Sequence, residues 1–358
     1  MSFCLATQQV DLADAFSRFG DETMGMVDVL YHMDREPTFA AAIKGRQATK
    51  EQATMWDMAV LLSATAAAMH YDAPRYRDTY SKIMYEVETY WDERGPEAGY
   101  CVLPKLKEPD RYYDDNAWVA LAQIEGFEWG HRASDLARAR KTLAFVLSGK
   151  DRKSGGIFWH EQDRKSMNVC ATANTGLVAA KLFNGAGKAE DLATAKALDA
   201  WCDGMRDGDD IYWDSRGVDG KVDRTKWSYN TALPIRLKLE LFKVTKDDKY
   251  KGDALKIAVA AQKKWVKVGG VLDDEVAFAH HLVDAFLDCD RLDRTGPWRD
   301  LAVRAALALR DKCRSEYGMY GLRWGSPEVR ENEGHRLLFQ ASAARTFYSV
   351  AGALKENP

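Results

Sequence analysis

Amphipathic, alanine-rich segments recur along the chain from its beginning to its end. Within each segment, apolar residues return at intervals of three and four, which is the spacing of one face of an α-helix. No run of alternating apolar and polar residues is long enough to indicate a competing β-strand. This periodicity predicts an all-α fold.

The segments form two alternating sets of six. Segments of the first set carry many charged residues, and they cover 11–33, 76–92, 134–148, 190–206, 248–267 and 298–315. Segments of the second set contain more Ala, Ser, Thr, Asn and Trp and fewer Lys, and they cover 53–70, 115–129, 170–183, 229–243, 275–289 and 335–350. We expect the second set to be buried on most sides and the first set to face solvent.

A repeat of helical hairpins is also visible in the letters. Asp135-Leu-Ala-Arg-Ala-Arg-Lys-Thr-Leu-Ala aligns with Asp191-Leu-Ala-Thr-Ala-Lys-Ala-Leu-Asp-Ala in the next charged segment. Six hairpins that alternate an exposed and a buried helix can close into a double ring. We therefore predict an (α/α)6 toroid, in which the inner helices form a barrel. An open helical solenoid is the alternative, although its repeats would be more uniform and would need polar caps.

Charge and hydropathy exclude several classes of partner. The net charge is −3 and no long basic run occurs, so we expect no nucleic acid partner. No apolar run approaches the roughly 20 residues of a membrane-spanning helix. The six cysteines are scattered without metal-ligand spacing, which favours buried free thiols, and we expect neither a metal nor a cofactor.

The first residues leave the compartment open. Residues 1–6 are too short for a complete signal peptide, although 3–6 match the trimmed end of one. The protein would be cytoplasmic if this start is native, and secreted or periplasmic if a signal has been removed.

One short motif combines acidic and aromatic residues. It reads Tyr112-Tyr113-Asp114-Asp115-Asn116-Ala117-Trp118 and stands where a loop turns into an apolar helix. An aspartate at a helix start can serve as a cap, because it accepts the free backbone N–H groups. One aspartate would suffice for that purpose. Two carboxylates with aromatic neighbours instead favour the cleavage of glycosidic bonds, since aromatic rings pack on sugar rings.

The two carboxylates suit two different catalytic roles. The one that is better aligned with the N–H groups of the helix would stay ionised and act as the nucleophile. The other would keep its proton to higher pH and act as the acid and then as the base. Neighbouring residues can reach the separation of about 5–5.5 Å that retaining glycosidases need, whereas an inverting pair at roughly 6.5–9.5 Å would be harder to build.

The motif resembles the signature of glycoside hydrolase family 76, the endo-α-1,6-mannanase family. Further similar elements follow in the same order: Gly155-Gly156-Ile157-Phe158-Trp159, then Lys165 and Asn168, then Trp227-Ser228-Tyr229-Asn230. The resemblance extends from about residue 50 to the end and is strongest over 110–260. It implies an (α/α)6 barrel, and residues 1–358 are then expected to form one catalytic domain.

The same resemblance implies retaining hydrolysis of α-1,6-linked mannose chains. Asp114 is then the nucleophile and Asp115 the acid/base. We expect the substrate, an α-mannan or α-mannooligosaccharide, to be bound by Tyr113, Asn116, Trp118, Trp159, Asn168, Tyr229 and Asn230. Two departures weaken the prediction of linkage and chain length: the Lys165-Ser-Met-Asn168 element is stretched, and Thr231-Ala232 stand where the family more often has Gln-Gly.

Three other interpretations fit parts of the sequence. A family member that transfers glycans would keep the same residues, and a glycan-binding protein would keep the groove without turnover. A sugar 2-epimerase or isomerase would use histidines on this fold, and His280, His281 and His335 lie on or near inner segments. Adjacent histidines on one helix point about 100° apart, so His280 and His281 cannot both face one substrate.

Overall fold

The computed structural model describes residues 2–33 and 39–356. The all-α class is confirmed, because long helices dominate this part of the chain. Eleven helices are found in these residues: α1 Ser2–Leu30, α2 Met55–Glu88, α3 Tyr113–Gly130, α4 Ala133–Ser148, α5 Val169–Ala186, α6 Ala189–Asp203, α7 Ser228–Thr245, α8 Asp248–Trp265, α9 Val276–Leu292, α10 Trp298–Lys312 and α11 Leu337–Glu356. A short 3-10 helix covers Val268–Gly270.

Six helices contact one another in a closed cycle. In chain order they are α2, α3, α5, α7, α9 and α11, and α11 then packs against α2. The remaining helices lie outside this cycle, where α1 packs on α11, α4 on α3, α6 on α5, α8 on α7 and α10 on α9. These contacts agree with the predicted double ring of inner and outer helices.

Helix α2 supplies one inner and one outer helix. Residues 55–71 are buried almost continuously, whereas residues 73–88 bury only one face. The two halves meet at a kink where Asp72 has φ −153° and ψ 86°. Pro74 explains the break, since proline has no N–H to continue the helical ladder. The predicted segments 53–70 and 76–92 are thus one kinked helix.

Short β-ladders, which the periodicity did not indicate, join the loops around one end of the ring. The strands are β1 Ala42–Lys44, β2 Gln47–Ala48, β3 Trp91–Asp92, β4 Gly99–Tyr100, β5 Ser166–Asn168, β6 Ser215–Gly217, β7 Val222–Asp223 and β8 His335–Arg336. They pair antiparallel as β2-β1-β8, β3-β4 and β5-β6-β7. Each strand has two or three residues, which is too short for an alternating pattern. The ladders rigidify loops that precede the inner helices.

The core is one cluster of apolar side chains that runs through the ring and between the rings. The cysteines at 101, 170, 202, 289 and 313 are buried free thiols, as predicted. The Cys4 side chain lies outside the described residues. No described helix is long and apolar enough to cross a membrane.

Candidate active site

The two aspartates of the acidic motif lie in the first turn of α3. Tyr112 precedes the helix with extended backbone angles, φ −107° and ψ 133°. Asp114 and Asp115 follow as the acidic residues of the first turn. The positive end of the helix dipole therefore acts on both carboxylates.

Asn116 holds the start of α3 from behind. Its amide nitrogen donates to Tyr100 O at 2.9 Å and to Tyr112 O at 2.8 Å, while its oxygen accepts from Tyr100 N at 2.7 Å. The side chain is fully buried, so these bonds replace those it would make with water. Asn116 thus links strand β4 to the acidic turn.

Tyr113 also faces the protein interior. Its ring stacks on Phe145 at 5.0 Å, and its hydroxyl accepts a hydrogen bond from Arg164. Gly149 makes this packing possible, because a Cβ there would come within 2.5 Å of the ring. The tyrosine anchors the turn that carries Asp114.

A cavity of about 610 Å³ opens in front of the acidic turn. That size is typical of small-molecule sites. The loops and first turns at the N-terminal ends of inner helices supply most of its lining, which includes Trp56 from α2, Trp118 from α3, Tyr229 from α7 and His281 from α9. Six inner helices that begin around one opening therefore create a site that no single segment contains.

Aromatic rings form two groups in this lining. In the first, Trp159 packs edge-on against Tyr112 at 5.0 Å, and Tyr112 also contacts His160. In the second, Phe278 stacks on Tyr229 at 4.6 Å and on Trp56 at 5.8 Å, and Trp227 contacts the same ring. Trp118 stacks on His281 at 4.2 Å. Such faces suit the apolar C–H side of a sugar ring.

Asp114 is a partly accessible carboxylate with two donors on one oxygen. Trp159 Nε1 donates to Asp114 Oδ2 at 3.0 Å, and the Cys170 thiol lies 3.8 Å from the same oxygen. Burial raises the pKa of Asp114 to about 6, while the hydrogen bonds from Trp159 and neighbouring backbone N–H groups oppose that rise. The donors thus favour the ionised form.

Asp115 is more strongly driven toward its protonated form. The residue is 9% exposed, and burial raises the pKa of its carboxyl well above the usual value. The negative charges of Asp114, Asp57 and Asp110 add to this rise. The two carboxylates titrate as a pair in which Asp114 ionises first.

A third carboxylate, Asp214, lies at the edge of the cavity. Asn230 Nδ2 donates to its Oδ1 at 2.8 Å, and Asn168 Nδ2 lies 3.5 Å from its Oδ2. Strands β5 and β6 hold this group, because Asn168 pairs with Ser215 in their ladder. The carboxylate is therefore oriented before any ligand arrives.

The structure brings six of the nine predicted site residues to the cavity lining, namely Asp114, Asp115, Trp118, Trp159, Asn168 and Tyr229. It places the other three behind that surface, where Tyr113 and Asn116 hold the acidic turn and Asn230 holds Asp214. Direct contact of these three with a ligand stays a prediction.

Several lining residues were not among the predicted site residues. They are Thr54, Trp56, Tyr112, Cys170, Asp214, Trp227, Phe278, His281 and Arg336. Most of them stand in the first turn of an inner helix or just before it. A systematic reading of all six helix starts would have found these, because the ring brings those ends together.

The histidines considered in the sequence are separated by the fold. His281 lines the cavity, whereas His280 is buried with Nδ1 3.3 Å from Val276 O. His335 lies with Nδ1 3.1 Å from Tyr320 O. Burial lowers the pKa of both adjacent histidines, to about 4 for His280, so both are neutral near pH 7. Of the three, only His281 lines the cavity.

Comparison with known proteins adds a family match. The sequence model described as glycosyl hydrolase family 76 matches residues 23–353. No curated protein sequence matches the chain significantly.

Solved structures of this family share the fold. A GH76 α-mannanase of Bacteroides thetaiotaomicron superposes with a TM-score of 0.87 at 27% identity, over 94% of this chain and 95% of its own. A family 76 glycoside hydrolase from a bovine strain of that species gives 0.86 at 22%, over 94% of this chain and 77% of its own. An inactive variant of a Salegentibacter α-1,6-mannanase, with two consecutive aspartates changed to asparagine and in complex with α-1,6-mannotriose, gives 0.77 at 19%, over 94% and 99%.

Proposed function

The chain belongs to glycosyl hydrolase family 76, and from this membership we propose that it hydrolyses α-1,6-linked mannose chains with retention of anomeric configuration. The membership makes it a glycoside hydrolase. The observation that carries the finer proposal is the pair Asp114 and Asp115, which lines one cavity in two unequal environments. Unequal proton affinities are what a nucleophile and an acid/base require.

Asp114 is the proposed nucleophile. It has hydrogen-bond donors on Oδ2 and lies at the positive end of α3, and both features stabilise a carboxylate. In the first step this carboxylate attacks the anomeric carbon of the sugar, and the bond from that carbon to the leaving oxygen breaks. A covalent glycosyl ester on Asp114 results.

Asp115 is the proposed acid/base. Burial and three nearby carboxylates keep its proton at pH values where Asp114 is ionised. It gives that proton to the leaving oxygen in the first step. In the second step it takes a proton from water, which attacks the anomeric carbon and releases Asp114. Two inversions give a product with the starting anomeric configuration.

Mannose chains are the proposed substrate for two reasons. The cavity lining combines aromatic rings, which suit the apolar face of a sugar, with oriented carboxylate and amide groups at Asp214 and Asn168, which suit its hydroxyls. A structural relative is described as an α-1,6-mannanase bound to α-1,6-mannotriose, and its inactive form lacks two consecutive aspartates. Both findings support the proposed linkage and the proposed pair.

The test is turnover of linear α-1,6-mannan by the wild type and by Asp114→Asn and Asp115→Asn. Each variant should lose about a thousand-fold or more of kcat without a fall in Tm, because the change keeps the shape of the side chain. Asp223→Asn serves as control, since Asp223 caps an exposed turn outside the cavity lining. Wild-type activity in both variants would overturn the proposal. Saturable binding without cleavage would instead favour glycan binding, and new longer products would favour transfer.

A further inference from the structure

The hydrogen bonds of the acidic pair are distributed unevenly. Asp114 Oδ2 faces two donors, Trp159 Nε1 at 3.0 Å and Cys170 Sγ at 3.8 Å, while Oδ1 is buried without a hydrogen-bond partner. The described residues place no such donor on the Asp115 carboxylate. One oxygen of Asp114 thus receives both side-chain donors.

We propose that the Trp159 indole N–H and the Cys170 thiol act as a pair of positioning donors, which orient the Asp114 carboxylate in the cavity and keep it ionised. This inference rests on the proposed function, in which Asp114 is the nucleophile. It gives Trp159 a role beyond that of an aromatic face, and it gives Cys170 a role that no motif indicated.

Backbone hydrogen bonds hold Trp159 beside the acidic turn. Trp159 N donates to Ser166 O at 3.0 Å, and Trp159 O accepts from Tyr113 N at 2.9 Å. Tyr113, which precedes the acidic pair, is thereby hydrogen-bonded to Trp159, whose indole donates to Asp114. Edge-on packing against Tyr112 restrains the ring further. Because Trp159 is hydrogen-bonded to the residue that precedes Asp114, the fold holds the indole N–H close to the Asp114 carboxylate.

The same ring remains available to a sugar. Trp159 is 43% exposed, although its indole nitrogen donates to a carboxylate. One face can therefore pack on substrate while the N–H stays on Asp114. A residue with both roles would couple the position of the sugar to the position of the nucleophile.

Cys170 is suited to donate because it remains a thiol. Burial raises its pKa well above the ordinary value, and the negative charges of Asp114 and Asp214 raise it further. The residue stands at the start of α5 and is almost fully buried, yet it lines the cavity. An S–H group is a weak donor, so its contribution should be smaller than that of the indole.

The charges around Asp114 set the direction of the expected effect. The titratable groups near it are Asp115 on its own helix, Tyr112 before that helix, Cys170 on α5 and Tyr229 on α7. Elsewhere the cavity lining carries Asp214, His281 and Arg336. Hydrogen bonds that favour the ionised carboxylate act against burial, so removal of a donor must raise the pKa of Asp114.

The experiment compares pH profiles of kcat/KM for the wild type, Trp159→Phe, Cys170→Ala and Cys170→Ser. Phenylalanine keeps an aromatic face and lacks the N–H. We expect the acid limb of Trp159→Phe to move up by about one pH unit, since a hydrogen bond to a charged group is of that order. At pH near 6 this variant should lose about five-fold in kcat/KM, and well below pH 6 the loss should approach about ten-fold. Cys170→Ala should move the same limb less, and Cys170→Ser should not move it up.

Two control variants remove the same chemical groups at places away from Asp114. Trp213→Phe removes an indole N–H that donates to Asp207 at 3.2 Å outside the cavity lining, and Cys202→Ala removes a buried thiol elsewhere. Neither should change the acid limb. An acid limb that stays at the wild-type pH in both Trp159→Phe and Cys170→Ala would overturn the inference. If Asp114→Asn were active, the proposed function itself would fail, which is a distinct result.

Discussion

At the residue scale, two adjacent aspartates in one helical turn acquire different proton affinities. Burial raises both pKa values, but within the described residues side-chain hydrogen-bond donors are found on Asp114 and not on Asp115. Only Asp115 is opposed by three further carboxylates, at Asp114, Asp57 and Asp110. The two proposed roles therefore follow from the different neighbours of two identical side chains.

This asymmetry predicts the pH dependence of the wild type. The nucleophile must be ionised, and burial raises the pKa of Asp114 to about 6. We expect kcat/KM to fall as the pH is lowered through about 6, because Asp114 then takes up a proton. Initial rates with mannooligosaccharides between pH 4 and 9 measure this limb. Full activity at pH 4 would contradict the assignment.

Asn116 is predicted to stabilise the start of α3. Its three hydrogen bonds join β4 to the acidic turn, and Asn116→Ala would leave buried backbone groups of Tyr100 and Tyr112 without partners. The free energy of unfolding should fall by about 2 kcal/mol. Urea unfolding measures this loss, with exposed Asn332→Ala as control. Unchanged stability together with a raised KM would instead indicate direct binding.

The sequence predicted a role for Asp114 and Asp115 because both lie inside one contiguous motif. The prediction included Tyr113 and Asn116 on the same ground, but their side chains point behind the turn. A sequence motif marks a stretch of backbone and does not tell which side chains face the ligand. Trp56, Phe278 and Arg336 line the cavity but are more than 50 residues from that motif along the chain, so the motif itself gave no signal for them.

At the element scale, the ring is closed where its last inner helix meets its first. Arg336, just before α11, donates to Asp57 Oδ1 at 3.1 Å in the first turn of α2. Asp57 also accepts from Thr54 N and Thr54 Oγ1, both at 2.7 Å. One fully buried carboxylate therefore caps α2 and pairs with the cation beside α11.

Asp57→Ala is predicted to weaken this closure. The change removes the cap of α2 and leaves Arg336 without its partner, so the free energy of unfolding should fall by about 3 kcal/mol. Asp300→Ala is the control, because it breaks an exposed pair with Arg304 on α10 and should cost less than about 1 kcal/mol. Thermal unfolding measures both. Equal losses in the two variants would show that the closure contributes nothing specific.

Element-scale prediction succeeded for helices and missed strands for one physical reason. A helix of 15 residues repeats its apolar face four times, whereas a ladder of two or three residues shows no period. The bounds of α4 and α9, for example, lie within a few residues of the predicted segments. Two predicted segments are continuous in α2 and meet at the kink at Asp72. Pro74 stands near the start of the second half, where a proline is compatible with a helix.

At the scale of the whole molecule, the two ends of the inner ring differ in how their carboxylates are partnered. Helix N-termini surround the cavity with the acidic pair. At the other end, buried ion pairs line a second cavity of about 440 Å³: Arg345 contacts Glu125 and Asp284, and Arg236 contacts Glu125 and Asp288. Such pairs are costly to break, because removal of one partner leaves a buried charge.

These ion pairs predict loss of stability in acid. Arginines lower the pKa of Glu125 to about 2 and that of Asp288 further still, after the opposing effect of burial. A carboxylate with a lowered folded pKa stabilises the fold above its unfolded pKa, near 4.3 for Glu, and loses that contribution as the pH falls toward 2. Asp114 and Asp199, with pKa values near 6, act oppositely, because each lowers the stability as the pH rises from about 4 to 6.

We therefore expect the free energy of unfolding to decline between about pH 4 and pH 2, by about 3 kcal/mol from Glu125 alone. Urea titrations across pH 2–7 measure it, and Glu125→Gln should flatten the decline while lowering stability at pH 7. A profile that is flat below pH 4 would contradict this account. One cooperative transition would also support the prediction that residues 1–358 form a single catalytic domain.

The most direct test of the central claim is the anomer first released from an α-1,6-mannooligosaccharide, followed by proton NMR from the first minutes of hydrolysis. The proposed double displacement at Asp114 and Asp115 predicts that the α-anomer appears first and that the β-anomer grows in only by mutarotation. Initial release of the β-anomer would contradict a covalent intermediate on Asp114.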